Sequence, residues 1–434
     1  MTTYGNKSEP GIVTDVTSSA AVPTFGPAPD DLCIVGQADL ANASNAADTT
    51  KVYQVTQASK AIEYFGPRDS SMLTQGVIDA LNEGAYPVYA VAAEATSHNQ
   101  DISGASSTTI ELDNAPIREG AGDTVVDVDG SELTTNVVYD DVSSHTPSSG
   151  ECYVNPVRGK LEIPNLPTDG DTTNDTVAYD SFDYASGIDV AVDEVADVID
   201  FLVPISENTD VVDKANVEVA NMEDVYDLAV CVGGAEIDLD PTTFTQNYDD
   251  SRTQVAYPTR FEDNTSAIAA YAGFKANLGL AVTPINKRLS TNKELSITLN
   301  RAERGSLISE NVVPLANESR GVRIVDDPTT VSASNTDEHN LAYGFNRMVA
   351  DYIINTTRNN QRPFIGKLNS QVVRNTLEGM INDQLGELAE SQVVISYDVN
   401  VVKEDATSVG VEMSVDLVEP LRFIKNTITI ENGG

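Results

Sequence analysis

The sequence predicts an α/β core that is broken by an inserted all-β, sandwich-like domain and flanked by β-strand arms at both termini. Three observations carry this expectation. Short apolar runs at residues 32–36 (LCIVG), 87–91 (PVYAV) and 228–234 (LAVCVGG) alternate with helical segments, as the buried strands of an α/β sheet do. Between about Ser97 and Tyr184 helical periodicity disappears and Gly, Thr, Ser and Asp take over. Near each end lies a β-prone piece with no neighbour in sequence to pair with. At 434 residues the chain is long enough for about three domains with sizeable cores.

The first isolated piece is Gly11, Ile12, Val13, Thr14, Asp15 and Val16, which must pair far away or with another molecule. After the strand at 32–36, residues 57–65 form a short helix ended by Gly66-Pro67. Ser70 or Ser71 caps a helix that carries Leu73, Val77, Ala80 and Leu81 and stops at Gly84. Strand-like pieces at 109–112, 124–128 and 160–163 then recur with turns between them, which reads as a small β-sandwich. Residues 97–186 hold 17 acidic against 3 basic residues, so this block belongs in water. Helical spacing returns in Val192, Val195, Ala196 and Ile199, and the core resumes through 201–205 and 228–234.

Residues 266–331 are the densest stretch. Ile268, Tyr271 and Lys275 mark a helix, while Ala267, Ala269, Ala270 and Ala272 keep one face small enough for close packing. Pro284 to Lys287 and Asn311 to Leu315 read as buried loops, and Gly321 to Val325 as a short strand ended by Asp326-Asp327-Pro328. The C-terminal portion follows. A helix capped near Asn335 or Thr336 carries Leu341, Phe345, Met348, Val349, Tyr352 and Ile353. A second, capped at Ser370, carries Val373, Leu377, Met380, Ile381, Leu385 and Leu388. Strands at 393–402 and 409–418 are joined by the turn KEDATS, and a third spans 423–430.

In order and type, the AYAG helix, the P-x-N-K loop, the N-V-V-P-L segment and the GVRIV-D-x-T-T segment resemble contractile tail sheath proteins of phages, archaeal viruses and related injection machines. FGPRDSSMLTQGVIDALNEGAYPVYAV and the opening PG-x-x-x-x-V arm extend the resemblance over most of the chain outside the insertion. It implies an α+β sheath-type C-terminal part and the following layout. Residues 1–22 form an N-terminal arm, 23–96 and 187–330 a discontinuous core, and 97–186 the acidic insertion. Residues 331–420 form the C-terminal helix pair and hairpin, and 421–434 a C-terminal β-arm. It further implies a structural subunit in stacked, six-membered rings around a tail tube in a virion, assembled in the host cytoplasm and contracting for genome delivery. Its partners would be other copies of itself, the tube protein, and baseplate and tail terminator proteins. The arm residues would be Gly11 to Val16 with Phe423, Ile424, Thr427, Ile428 and Ile430. They would pair with a sheet near Val393, Val394, Ile395, Val409 and Val411 of other subunits. Residues 352–377 contain no acid yet hold Arg358, Arg362, Lys367 and Arg374, which would face an acidic tube, unless Arg358 only compensates its helix end and the others are incidental loop charges.

A net charge of −41, from 67 acidic and 26 basic residues, excludes a nucleic-acid binder by bulk electrostatics, and 40% hydrophobic content excludes wholesale disorder. An acidic folded surface suits high salt, where screening removes carboxylate repulsion; an ordinary acidic protein is the alternative. No apolar window reaches the length of a membrane span, and the polar start is unlike a signal peptide. Cys33 and Cys231 lie in apolar runs as core thiols. His98, His145 and His339 lack metal-ligand spacing and read as loop or cap residues. Gly233-Gly234 comes without a dinucleotide or phosphate-loop motif. Asp127 to Glu132 (DVDGSE) reads as a hairpin turn in preference to a partial calcium loop. No cofactor and no catalytic constellation are expected. Two other classes remain: a halophilic α/β enzyme with an appended β-domain, and an acidic surface-layer or adhesion protein.

Overall fold

The computed structural model describes residues 31–119, 123–168, 172–225, 227–336, 338–420 and 422. Both expected arms, Gly11 to Val16 and Phe423 to Ile430, therefore lie outside the described residues.

The core sheet takes eight strands: β1 (Leu32–Gly36), β2 (Tyr53–Val55), β3 (Val88–Ala92), β11 (Phe201–Pro204), β12 (Val230–Gly234), β13 (Thr253–Tyr257), β14 (Val312–Glu318) and β15 (Gly321–Ile324). Their order is β15-β14-β13-β12-β11-β1-β3-β2. The six central strands are parallel, and β2 and β15 close the edges antiparallel. The helices are α1 (Ala58–Phe65), α2 (Met72–Glu83), α3 (Tyr184–Val195), α4 (Thr209–Asp224), α5 (Ala267–Ala276), α6 (Arg301–Ser309), α7 (Gly344–Gln361) and α8 (Gln371–Glu390). Strand alternation explains the continuous apolar runs, because both sheet faces are covered. Leu32, Ile34, Phe201 and Val203 join α2 and α5 on one face; Cys33, Val35, Leu202 and Cys231 join α3 and α4 on the other.

The small face of α5 meets α2. Ser266 caps α5 by accepting from the Ala269 N–H, and the helix is buried on almost every side. A Cβ at Gly273 would stand 2.5 Å from the Ala80 Cα, and one at Gly76 would stand 3.2 Å from the Ala269 Cβ. The two helix backbones thus approach as closely as side-chain-free surfaces allow.

The insertion runs directly out of β3 and back into α3. Its strands are β4 (Glu94–Asp101), β5 (Thr109–Glu111), β6 (Val125–Val128), β7 (Ser131–Val137), β8 (Glu151–Asn155), β9 (Lys160–Glu162) and β10 (Thr176–Asp183). They form one sheet, ordered β4-β10-β6-β7-β8-β9-β5, in place of the two stacked sheets expected. The sheet curls until its edges meet: on β4, Gln100 Nε2 donates to the Glu111 carbonyl of β5, and Gln100 Oε1 accepts from the Asp113 N–H. Curling lets apolar residues from β5 through β10 share a single cluster, so no second sheet is needed to cover them.

Other expectations change for identifiable reasons. Residues 311–315 form most of β14, a central strand. Pro314 fits there because β14 changes partner at that point, from β13 to the antiparallel β15. Residues 284–287 make a surface turn with Asn286 at φ 62°, and only Pro284 is buried. The helix expected around Val192 to Ile199 begins earlier, capped by Asp183, and ends before Ile199. The helix expected near Asn335 begins at Gly344, after a short 3-10 turn at His339–Leu341. In contrast, Ser71 and Ser370 cap α2 and α8 as their spacing predicts. The final sheet is a two-stranded ribbon, β16 (Val394–Lys403) and β17 (Val409–Leu417).

Gly273→Ala is expected to cost about 1–3 kcal/mol through backbone displacement. Gly305→Ala in α6, where nothing lies within 4 Å, serves as control and should be neutral or stabilising. Denaturant midpoints of the two variants check both outcomes.

Candidate functional site: surfaces of the C-terminal half

The crevice where open α/β sheets place ligands, beyond the carboxyl ends of the strands, is filled here by the insertion. Arg260, just past β13, is buried. Its guanidinium donates to Glu207, beyond β11, at 2.7 Å from both Nε and Nη2, and to Glu119 of the insertion at 2.7 Å. It also lies 4.4 Å from the Tyr139 ring centroid. Gln37, beyond β1, donates to the Ile117 carbonyl, and Asn208 donates to the Val157 carbonyl. Gly233 and Gly234 serve packing, since Cβ atoms there would meet Val212 at 2.7 Å and Thr259 at 2.9 Å.

The other sequence candidates resolve similarly. Asp129 and Gly130 take positive φ, 50° and 70°, in the two-residue turn between β6 and β7. His98 lies on β4, half-buried, and contacts Ser181 Oγ at 2.8 Å; His145 pairs with Asp140 at 2.7 Å. Burial pushes the Cys33 thiol up to about 12 and the Cys231 thiol higher still. Among the described residues no group of three His, Cys, Asp or Glu side chains could hold a metal ion, and no helix is long and apolar enough to cross a membrane.

What the C-terminal half offers is surface. The β16–β17 ribbon packs one face on α8, with Val399, Val401 and Val415 against the cluster that holds Leu377, Ile381, Leu385 and Leu388. Among the described residues no third strand joins it, so each strand presents one open backbone edge. Of the expected acceptor residues, Val393 and Val394 are buried at its base. Val409 and Val411 pair with Lys403 and Val401. Ile395 falls in a register shift between Val394 and Ser396 and is 67% exposed, so it projects from a bulge and not from a regular ladder.

The four expected cations separate. Arg358 is half-buried in the last turn of α7, where its charge reaches Asp227. Arg374 is occupied locally, donating to Asn369 Oδ1 at 2.6 Å and Gln371 Oε1 at 2.8 Å. Arg362 and Lys367 are exposed, with no carboxylate at ion-pair distance among the described residues, and Lys367 Nζ stands 4.2 Å from the Phe364 ring centroid. The sequence reading overlooked the apolar residues beside them: Leu368 is 85% and Val372 75% exposed. Their signal was a Leu and a Val set among polar residues at a helix start. Asn369 Nδ2 donates to the Asp405 and Ser408 carbonyls, which ties this connection to the ribbon turn.

An ionic cluster seats α7 on the sheet. Arg252 donates to Asp351 at 3.0 Å from both Nη1 and Nη2, and to Glu223 at 2.7 Å; Arg347 pairs with the same Asp351. Burial works against the Asp351 carboxylate, but Arg252 and Arg347 outweigh it and hold its pKa below the usual range. Asp250 and Glu338, beside the cluster, are pushed up, first by burial and, for Glu338, next by the Asp250 charge. Ser251 donates to Glu338 from both N and Oγ.

No family model and no curated protein matches the sequence. Solved structures do match the fold. The helical sheath of the anti-feeding prophage in its contracted state is similar over 98% of this chain and 99% of its own, with 13% identity and a TM-score of 0.60. The sheath complex of the extracellular contractile injection system PVC, also contracted, is similar over 98% of both chains, with 13% identity and a TM-score of 0.58. A sheath tail protein from Desulfitobacterium hafniense covers 94% of this chain with all of its own, at 11% identity and a TM-score of 0.55. Nearly the whole chain therefore has the fold of contractile sheath proteins.

A raised folded-state pKa means that protons bind the folded chain more tightly. Stability should thus rise as pH falls from neutral through the folded pKa values of Asp250 and Glu338. Lower still, protonation of Asp351 and Glu223, whose folded values are depressed, should remove stability. Glu338→Gln is expected to shrink the rise and leave the acid-side loss in place, as read from urea midpoints between pH 3 and 8.

Proposed function

We propose that this chain is the sheath subunit of a contractile tail or injection particle. Copies stack as rings, six subunits to a ring, around a tube, and rearrange into a shorter, wider state that drives the tube through a host envelope to deliver a genome or other cargo. The observation that carries this reading is the fold likeness, which spans insertion and C-terminal half together and includes sheaths in the contracted state. The role is structural and not enzymatic: the crevice an α/β enzyme would use is occupied by the chain's own insertion.

The open edges of the ribbon support strand exchange, with Gly11 to Val16 and Phe423 to Ile430 of other copies as the added strands. The tube protein is the partner for the α7–α8 connection, through Arg362 and Lys367 with Leu368 and Val372 beside them. Surface ion pairs of about 0–1 kcal/mol each suit a contact that must release on contraction. Baseplate and terminator proteins would cap the stack. A net charge of −41 supports a working environment of high salt.

Electron microscopy of the purified protein tests the reading, since rings or tubes are required. Deleting residues 1–20 or 421–434 should leave a folded protein that no longer polymerises; normal tubes from either truncation would overturn strand exchange. Arg362→Gln with Lys367→Gln should abolish decoration of isolated tubes and spare self-assembly. Light scattering on dilution from molar to ~0.1 M salt should show assemblies weakening before subunits unfold.

A further inference from the structure

We propose that the C-terminal arm is moored to its own subunit by a clasp in which Asp326 and Tyr343 hold Arg422, so that donation of the arm to a neighbouring copy starts from a fixed point on the core. This rests on the sheath reading, and goes beyond it in naming what fixes the arm.

Asp326 and Asp327 are adjacent, just past β15, and their side chains reach different partners. Asp327 turns inward. Its Oδ1 accepts from Tyr271 at 2.6 Å, from Gln254 at 2.8 Å and from the buried Lys275 at 3.2 Å. Asp326 turns to Arg422. Its Oδ2 takes the Arg422 Nη2 donor, while its Oδ1 accepts from the Asp327 N–H at 3.1 Å. Only 4% of the Asp326 side chain is exposed. Arg422 Nη1 donates to the Tyr343 hydroxyl at 2.6 Å, and the guanidinium carbon sits 5.0 Å from the Tyr343 ring centroid. One guanidinium thus meets a carboxylate, a hydroxyl and an aromatic face, three interactions that a lysine cannot reproduce together.

The position gives the clasp its consequence. β17 ends at Leu417, and Arg422 brings the chain from the ribbon back to the foot of α7, whose first residue follows Tyr343. The arm residues begin at Phe423, the next residue. Eight residues, 423–430, span at most about 27 Å when extended. The accepting edge in the neighbour must therefore lie within that reach of the Arg422 backbone. A subunit displacement that exceeds it must break either the clasp or the added strand.

The test compares wild type, Arg422→Gln, Arg422→Lys, Asp326→Asn and a deletion of 423–434, each read for monomer melting and for the concentration at which tubes appear. Arg422→Gln and Asp326→Asn should melt within a few degrees of wild type, need about tenfold more protein to assemble and give tubes of variable diameter. Arg422→Lys should fall between them and wild type. Wild-type assembly by Arg422→Gln, with the deletion inactive, would overturn the clasp and leave strand exchange standing. Normal assembly by the deletion would overturn strand exchange itself. Loss of assembly that merely tracks loss of folded monomer would reduce the contact to a stabilising one and overturn the proposal.

Discussion

An ammonium group sealed inside the fold is the constraint on which much of the architecture depends. Lys275 on α5 is buried, and burial pushes its pKa down. A charge there costs several kcal/mol of lost hydration unless it is paired and hydrogen-bonded. Asp327 supplies the pair, Gln254 of β13 an acceptor, and Tyr271 a donor to the same carboxylate. These requirements propagate. The Asp327 carbonyl accepts from the Gly344 N–H at the start of α7, and a Cβ at Gly344 would stand 2.6 Å from Lys275 Nζ. A side chain there would push the Gln254 amide and the Lys275 ammonium out of their hydrogen bonds. Asp351, seven residues or two turns further, returns to the same side and meets Arg252. One backbone hydrogen bond, at Gly344, and one ion pair, at Asp351, therefore fix both the height and the rotation of α7 against the sheet.

Inward use of cations changes the surface. Arg252, Arg260 and Arg347 are all buried in ion pairs, in a chain with only 26 bases. They take carboxylates inside with them, so the surface keeps essentially the whole negative excess with fewer bases to offset it locally. Among the exposed bases Arg362 and Lys367 stand apart in lying close together in one connection that holds no acidic residue. The same bookkeeping explains why Arg374 is a poorer candidate, since Asn369 and Gln371 already engage it.

Much of the core was legible because burial on both faces leaves unbroken apolar runs: β1, β3 and β12 all stand out. What escaped has specific causes. β13 and the residue before it read RTQVAY because Arg252 and Gln254 serve buried charges, so polar residues sit where apolar ones were sought. α4 escaped because Val217 on its exposed side and Val225 just past its end blur its amphipathic stripe. The start of α7 escaped because no side chain caps it: Tyr343, in the capping position, accepts from the Arg347 N–H through its carbonyl alone. The ribbon followed from alternation alone, whereas the Ile395 bulge did not, because register depends on the partner strand. The cationic connection showed as a gap in acidic residues, but which cations remain available depends on Asn369, whose role is tertiary.

On the sheath reading, these features divide the subunit into parts that hold and parts that exchange. The insertion is pinned by Arg260, and α7 is seated by Asp351 on Arg252. Neither of these can yield without stranding a buried charge, which typically costs about 3–5 kcal/mol. The ribbon edges and the α7–α8 connection carry no such penalty, because the outward backbone groups of the one and the exposed side chains of the other hold no buried charge among the described residues. Backbone hydrogen bonds there are worth about 0.5–1.5 kcal/mol net each. A few of them per subunit are too weak to bias a single contact, yet a lattice repeats them in every copy and forms or breaks them together. On that reading contraction is a change between subunits, with the body of each carried through intact.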